Sequence, residues 1–130
     1  MIAVDTSALM AILLNESQAD ACIAALAVDG SILISAGTVA EAMIVARRRG
    51  VGEEMAGLIE RLGLKVVPVT AATARAVADA YGRWGKGVHP AGLNFGDCFA
   101  YAIAADHGCP LIFVGEDFAR TDVPAALQGR

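Results

Sequence analysis

Short apolar runs alternate with longer stretches of helical periodicity along this chain. Ile2-Ala3-Val4, Ile32-Leu33-Ile34, residues 65–69 and Leu111-Ile112-Phe113-Val114 have the length and branched content of strands buried on both faces. Between them the pattern predicts helices. The first covers residues 8–14, with Ser7 as N-cap. Ser17 or Gln18 opens a second, with Ala21, Cys22, Ala25 and Leu26 on one face and Asp29-Gly30 as its stop. A third runs from Thr38 to about Arg49 and closes at Gly50; a fourth covers residues 53–62 and ends at Gly63. Thr70 caps a fifth over residues 71–84. Asn94 starts a sixth, whose predicted buried stripe is Phe95, Cys98, Phe99, Ala102 and Ile103, stopped by Gly108 and Pro110. Residues 85–92 (Gly-Lys-Gly-Val-His-Pro-Ala-Gly) form the least regular stretch, and Val123-Pro124 predicts a fifth, edge strand. Strands alternating with helices predict an α/β fold. It is a three-layer α/β/α arrangement with a mostly parallel sheet of four to five strands, in a single domain over residues 1–130.

Composition sharpens this picture in three ways. The hydrophobic fraction of 56% is high for a soluble domain, which predicts apolar surface left for a homodimer or a tight partner. No apolar run approaches the roughly 18 residues that cross a bilayer, and the N-terminus has no basic region or cleavage site, so it reads as a strand and not a signal peptide. Cys22, Cys98 and Cys109 are odd in number and lack a CxxC spacing, as expected of buried thiols in a reducing, cytoplasmic setting. A net charge of −4 excludes general electrostatic attraction to nucleic acid, so any such contact needs a local basic patch.

The candidate chemistry lies in four acids. Asp5 and Asp117 each follow an apolar strand, and the carboxyl ends of parallel strands are where open α/β sheets bind ligands. Glu41 and Asp97 fall in the predicted first turns of helices that begin near the same rim. Each has a plain structural explanation: Thr38-Val39-Ala40-Glu41 and Asn94-Phe95-Gly96-Asp97 match the capping box, Asp5 suits a cap and Asp117 a turn. Together, carboxylates with no basic partner repel one another and raise their own pKa values, a conflict that a hard divalent cation removes. All-oxygen ligands suit Mg²⁺, with Mn²⁺ as a substitute, and Mg²⁺ pairs one or two carboxylates with substrate phosphates.

Val4-Asp5-Thr6-Ser7-Ala8-Leu9, Glu41, residues 94–102 (Asn-Phe-Gly-Asp-Cys-Phe-Ala-Tyr-Ala) and Gly115-Glu116-Asp117-Phe118 occur in an order that resembles PIN-domain ribonucleases, specifically VapC-type toxins of toxin–antitoxin pairs. The resemblance spans essentially the whole chain. It implies a PIN-like domain and a Mg²⁺-dependent endoribonuclease that cuts structured RNA in the cytoplasm. It also implies a homodimer held in check by a VapB-like antitoxin protein. Asp5 and Asp97 would be the metal ligands, with Glu41 and Asp117 completing the acidic pocket. Glu116 departs from the Asn or Asp common at its position. In such chemistry one metal lowers the pKa of the attacking water, and a second, about 4 Å away, steadies the leaving oxygen. The hydroxyls of Thr6 and Ser7 are placed to orient the metal's surroundings, with helix capping as the plainer role for Ser7.

Three cations are candidate RNA contacts. Arg48 lies two turns after Glu41, within the Arg47-Arg48-Arg49 run; Arg83 and Lys86 flank the start of the Gly/Pro loop beside Trp84 and His89, read as a flexible basic and aromatic segment. The plainer readings are a favourable helix C-terminus for the arginines and a solvated loop for the rest. His107 suits a helix end, and Tyr81 and Tyr101 suit packing. The rival functions are a phosphoacceptor receiver-like signalling module and a catalytically silent PIN-fold binding subunit. A receiver needs an Asp after the third strand, where Val69-Thr70 stands; a haloacid-dehalogenase phosphatase needs Asp at position 7, where Ser stands; a dinucleotide binder needs GxGxxG after the first strand.

Overall fold

The computed structural model describes residues 1–28 and 30–127. Its elements, in chain order, are β1 (Ile2–Val4), α1 (Thr6–Leu13), α2 (Ala19–Val28), β2 (Ile32–Ser35), α3 (Ala36–Arg48), α4 (Gly52–Arg61), β3 (Lys65–Val67), α5 (Ala71–Trp84), α6 (Phe95–His107), β4 (Leu111–Ile112) and a 3-10 turn, Phe118–Arg120. The strands form one sheet in the order β3-β2-β1-β4, with every pairing parallel. Alternate strand residues face opposite sides. Ala3, Leu33 and Leu111 pack with α5 and α6, whereas Ile2, Val4, Ile34 and Ile112 pack with α1 to α4. This double burial explains the uninterrupted apolar strands and gives the expected three layers.

The chain runs outward from β1 through β2 to β3, then returns to place β4 on the other side of β1. The order therefore reverses between β1 and β4, and the crevice at such a reversal, outside the carboxyl ends of the strands, is where these sheets accept ligands. Asp5 sits there, its N–H bonded to the carbonyl of Ile112 at 3.0 Å.

Several local expectations need correction. Asp5, not Ser7, caps α1, because its extended backbone and side chain are aimed at the Ser7 N–H. Ser35 caps α3, so the helix starts at once from β2; Thr38 is a wholly buried interior residue, and Glu41 falls in the second turn without a capping box. β3 stops at Val67, because Pro68 has no N–H to extend a ladder. The fifth strand reduces to a single bridge between Leu111 and Ala125. Phe95 is 68% exposed and lies outside the stripe expected to bury it; it is the first residue of α6, directly after the Asn94 cap. β4 ends at Ile112, two residues short of the expected Val114. The other helix stops and caps stand where the pattern puts them, Thr70 and Asn94 each with a full capping box. The Asp29 stop lies outside the described residues. No helix among the described residues is long and apolar enough to cross a membrane.

Candidate active site

Asp5 is the most constrained of the four acids. Its Oδ2 accepts from the Ser7 N–H at 3.0 Å and from the Ser7 hydroxyl at 2.7 Å. That hydroxyl in turn accepts from the Val114 N–H at 3.0 Å, tying the end of β1 to the segment that follows β4. Asp5 is 3% exposed, and its Oδ1 is buried with no hydrogen-bond partner. Burial therefore pushes its pKa up to about 7; the two Ser7 bonds oppose the rise, and the charges of Asp97 and Glu41 add to it.

Glu41 reaches the same place from α3. Its Oε1 accepts from the Thr6 hydroxyl at 2.7 Å. The rest of its carboxylate lies against the α-carbon of Gly96, where a Cβ would collide with it. Four residues earlier on α3, Gly37 takes the Phe99 ring in the same way. Two glycines, one on each helix, thus let α3 and α6 approach closely and seat Glu41 beside the first turn of α6.

Asp97 serves the helix and the cluster together. One oxygen accepts from the Asn94 N–H at 3.0 Å, while its own N–H bonds to Asn94 Oδ1 at 2.8 Å. Its pKa is raised to about 6. Burial is the main cause, the Asn94 bond opposes it, Glu41 and Asp117 raise it further, and Lys86 lowers it. Asp117 precedes the 3-10 turn, is exposed, and makes no capping bond there; Glu116 beside it is also exposed. The fold brings Asp5, Glu41 and Asp97 into mutual electrostatic range and places Asp117 at the margin, near Asp97. Among the described residues, no Lys, Arg or His forms an ion pair with any of the four.

No set of three or more His, Cys, Asp or Glu side chains among the described residues is close enough to form a ready metal cage. The donor set is nevertheless compatible with Mg²⁺, which needs only one or two carboxylates and keeps several waters. The unpartnered Oδ1 of Asp5 is the specific mark of that fit, because a buried carboxylate oxygen without a donor carries a desolvation cost that a cation offsets.

The candidate RNA contacts differ in their surroundings. Arg83 lies 3.4 Å from Asp122 and stacks on Trp84, with its guanidinium carbon 4.6 Å from the ring centroid. Lys86 is exposed and near enough to act on Asp97. Arg48 is exposed in the last turn of α3. The loop between α5 and α6 is closed, not loose. Lys86 N–H bonds to the Leu93 carbonyl, Leu93 N–H to that of Trp84, and Ala91 N–H to His89 Nδ1 at 3.0 Å. Sequence reasoning missed the Ser7–Val114 link and the glycine seats. A glycine inside a helix was the available signal for the seats; nothing in the sequence marked the link.

A family model described as PIN domain matches residues 2–124. A Mycolicibacterium smegmatis protein named ribonuclease VapC is 44% identical over 125 residues, covering 94% of this chain and 97% of that protein. Among solved structures, Mycobacterium tuberculosis VapC20, described as a sarcin-ricin loop cleaving toxin, superposes with a TM-score of 0.77 at 19% identity, covering 95% of this chain and 96% of that one. A toxin–antitoxin complex from Klebsiella pneumoniae gives 0.71 at 18% identity, covering 94% and 93%. At those identities the structural likeness is one of fold. The matched length and the 44% identity settle the relationship: the chain belongs to the PIN-domain family, among relatives named VapC.

Proposed function

We propose that this chain is a Mg²⁺-dependent endoribonuclease that acts in the cytoplasm as the toxin of a toxin–antitoxin pair. The observation that carries the reading is the buried Asp5 carboxylate, with one oxygen unpartnered and Glu41 and Asp97 close enough to raise its pKa. Asp5 and Asp97 would hold the cation, with Mn²⁺ as a substitute; Glu41 and Asp117 would complete the acidic pocket. When bound, the cation would acidify the attacking water and neutralise charge on the phosphate. Ser7 fixes the orientation of Asp5, and Thr6 fixes that of Glu41, so neither carboxylate has to reorganise as substrate enters. The buried wall behind Asp5 excludes water from one side of the site. Lys86 lies on the same side as Asp97, where a cation would offset phosphate charge; Arg48 and Arg83 would contact RNA farther out. The antitoxin reading rests on the solved relative described as a toxin–antitoxin complex.

The test is cleavage of total RNA with Mg²⁺ and with chelator. Cleavage should require the cation. Asp5→Asn and Asp97→Asn should each lose more than the roughly 10- to 100-fold that removing a supporting group costs. Chelator-resistant cleavage, or full activity in both variants, would reject the assignment.

A further inference from the structure

The exposed ring of Phe95 carries an inference that rests on the ribonuclease reading and names how substrate is gripped. Phe95 is the first residue of α6, adjacent to the Asn94 cap and to Gly96, on which Glu41 is seated, and two residues before Asp97. It is 68% exposed, more than any other aromatic residue among the described large hydrophobics. An apolar ring left in water at the edge of a carboxylate cluster forgoes burial that a core position would give.

The ring is held in place. Phe99, one turn along the same helix, meets it edge to face, with centroids 5.0 Å apart and planes at 86°. Phe99 is itself lodged against the α-carbon of Gly37. Phe95 therefore stands on a supported pedestal beside Glu41 while most of its surface stays open. The surrounding charge narrows what can cover it. The carboxylates repel a phosphate backbone wherever no cation intervenes, so the strand needs an uncharged handle at this edge. Stacking on an aromatic ring supplies one for any base.

We propose that Phe95 is a base-stacking platform, which takes the nucleobase next to the scissile phosphate of a single-stranded RNA segment and so positions that phosphate over the carboxylates. Lys86, near Asp97, is placed to take a neighbouring phosphate.

The test titrates a fluorescein-labelled 12-nucleotide RNA of random sequence in an Asp5→Asn background that leaves it uncut, with Phe95, Ala, Leu or Trp at position 95. Steady-state cleavage and sedimentation of the same substitutions in the active protein run alongside. Phe95→Ala and Phe95→Leu should weaken binding roughly 5- to 150-fold and raise KM, with thermal unfolding still cooperative and lowered only by the lost Phe99 contact. Phe95→Trp should restore both, and all should sediment alike. Binding by Phe95→Leu equal to the parent would show a merely apolar contact and overturn the proposal. So would a loss of dimer in Phe95→Ala with RNA binding intact, which would make the ring an interface between copies. RNA binding that depends on an aromatic ring without Mg²⁺-dependent cleavage would sink the nuclease reading while the stacking role stands. No RNA binding by the parent would sink both.

Discussion

Asp5 holds a carboxylate almost wholly out of bulk water, and the side chain is only half compensated: Ser7 serves one oxygen and no protein donor serves the other. In the unfolded chain this group titrates near 3.8; in the fold it titrates at about 7. Between those values the native state binds the extra proton, so without divalent cation stability should fall as pH rises from about 4 to 7 and then level off. Asp97, raised to about 6, acts in the same direction. Replacing Asp5 by Asn keeps the capping oxygen and removes the charge. In chelator, the melting temperature of Asp5→Asn minus that of the parent should therefore grow between pH 5 and pH 8. The growth should be equivalent to a few kcal/mol, since each tenfold change in proton affinity is worth about 1.4 kcal/mol. A difference independent of pH would show that Asp5 is not the strained acid. Cation and proton compete for the same oxygens, so cleavage should rise with pH, and more Mg²⁺ should move that rise to lower pH. At Thr6 the hydroxyl holds Glu41, and Thr6→Val should cut cleavage roughly 10- to 100-fold while shifting stability by only about 1 kcal/mol.

At the level of elements, the site depends on how closely α3 and α6 approach. The two glycines at that contact should respond differently. A methyl group at Gly96 meets the far end of Glu41, which can swing away, so Gly96→Ala should lose most cleavage and little stability. A methyl group at Gly37 meets the Phe99 ring, which is packed against the core, so Gly37→Ala should cost about 1–3 kcal/mol in chemical denaturation. The same two helices show why caps are only partly readable. Asn94-Phe95-Gly96-Asp97 is a real capping box, and Thr38-Val39-Ala40-Glu41 is a false one with the same spacing. The false one fails because Ser35, at the end of β2, already has the extended backbone of a cap and bonds to Gly37 N–H. Glu41 is thereby released from the backbone to reach Thr6.

Across the whole molecule, and apart from Phe95, the apolar excess is visible as exposed Ile44, Val66, Val69 and Val88. Such surface is the ground for a homodimer. Sedimentation at micromolar concentration should give twice the 13.3 kDa of the chain, and a single-chain mass would remove that expectation. The sequence by itself determined the strands, the helices and most of their stops, because burial on both faces imposes uninterrupted apolar runs and capping chemistry is local. It also named Asp5, Glu41, Asp97 and Asp117, since strand ends and helix starts are the places an α/β sheet offers to a ligand. Only the tertiary structure decided that Asp5 has an oxygen with no donor, that Glu41 is seated on Gly96, that Arg83 is engaged by Asp122 and that Phe95 faces outward. Each of these depends on which residues, distant in sequence, meet in space: at the reversal between β1 and β4, at the contact of α3 with α6, and where α5 faces the segment after the 3-10 turn. Periodicity along the chain carries no record of such distances.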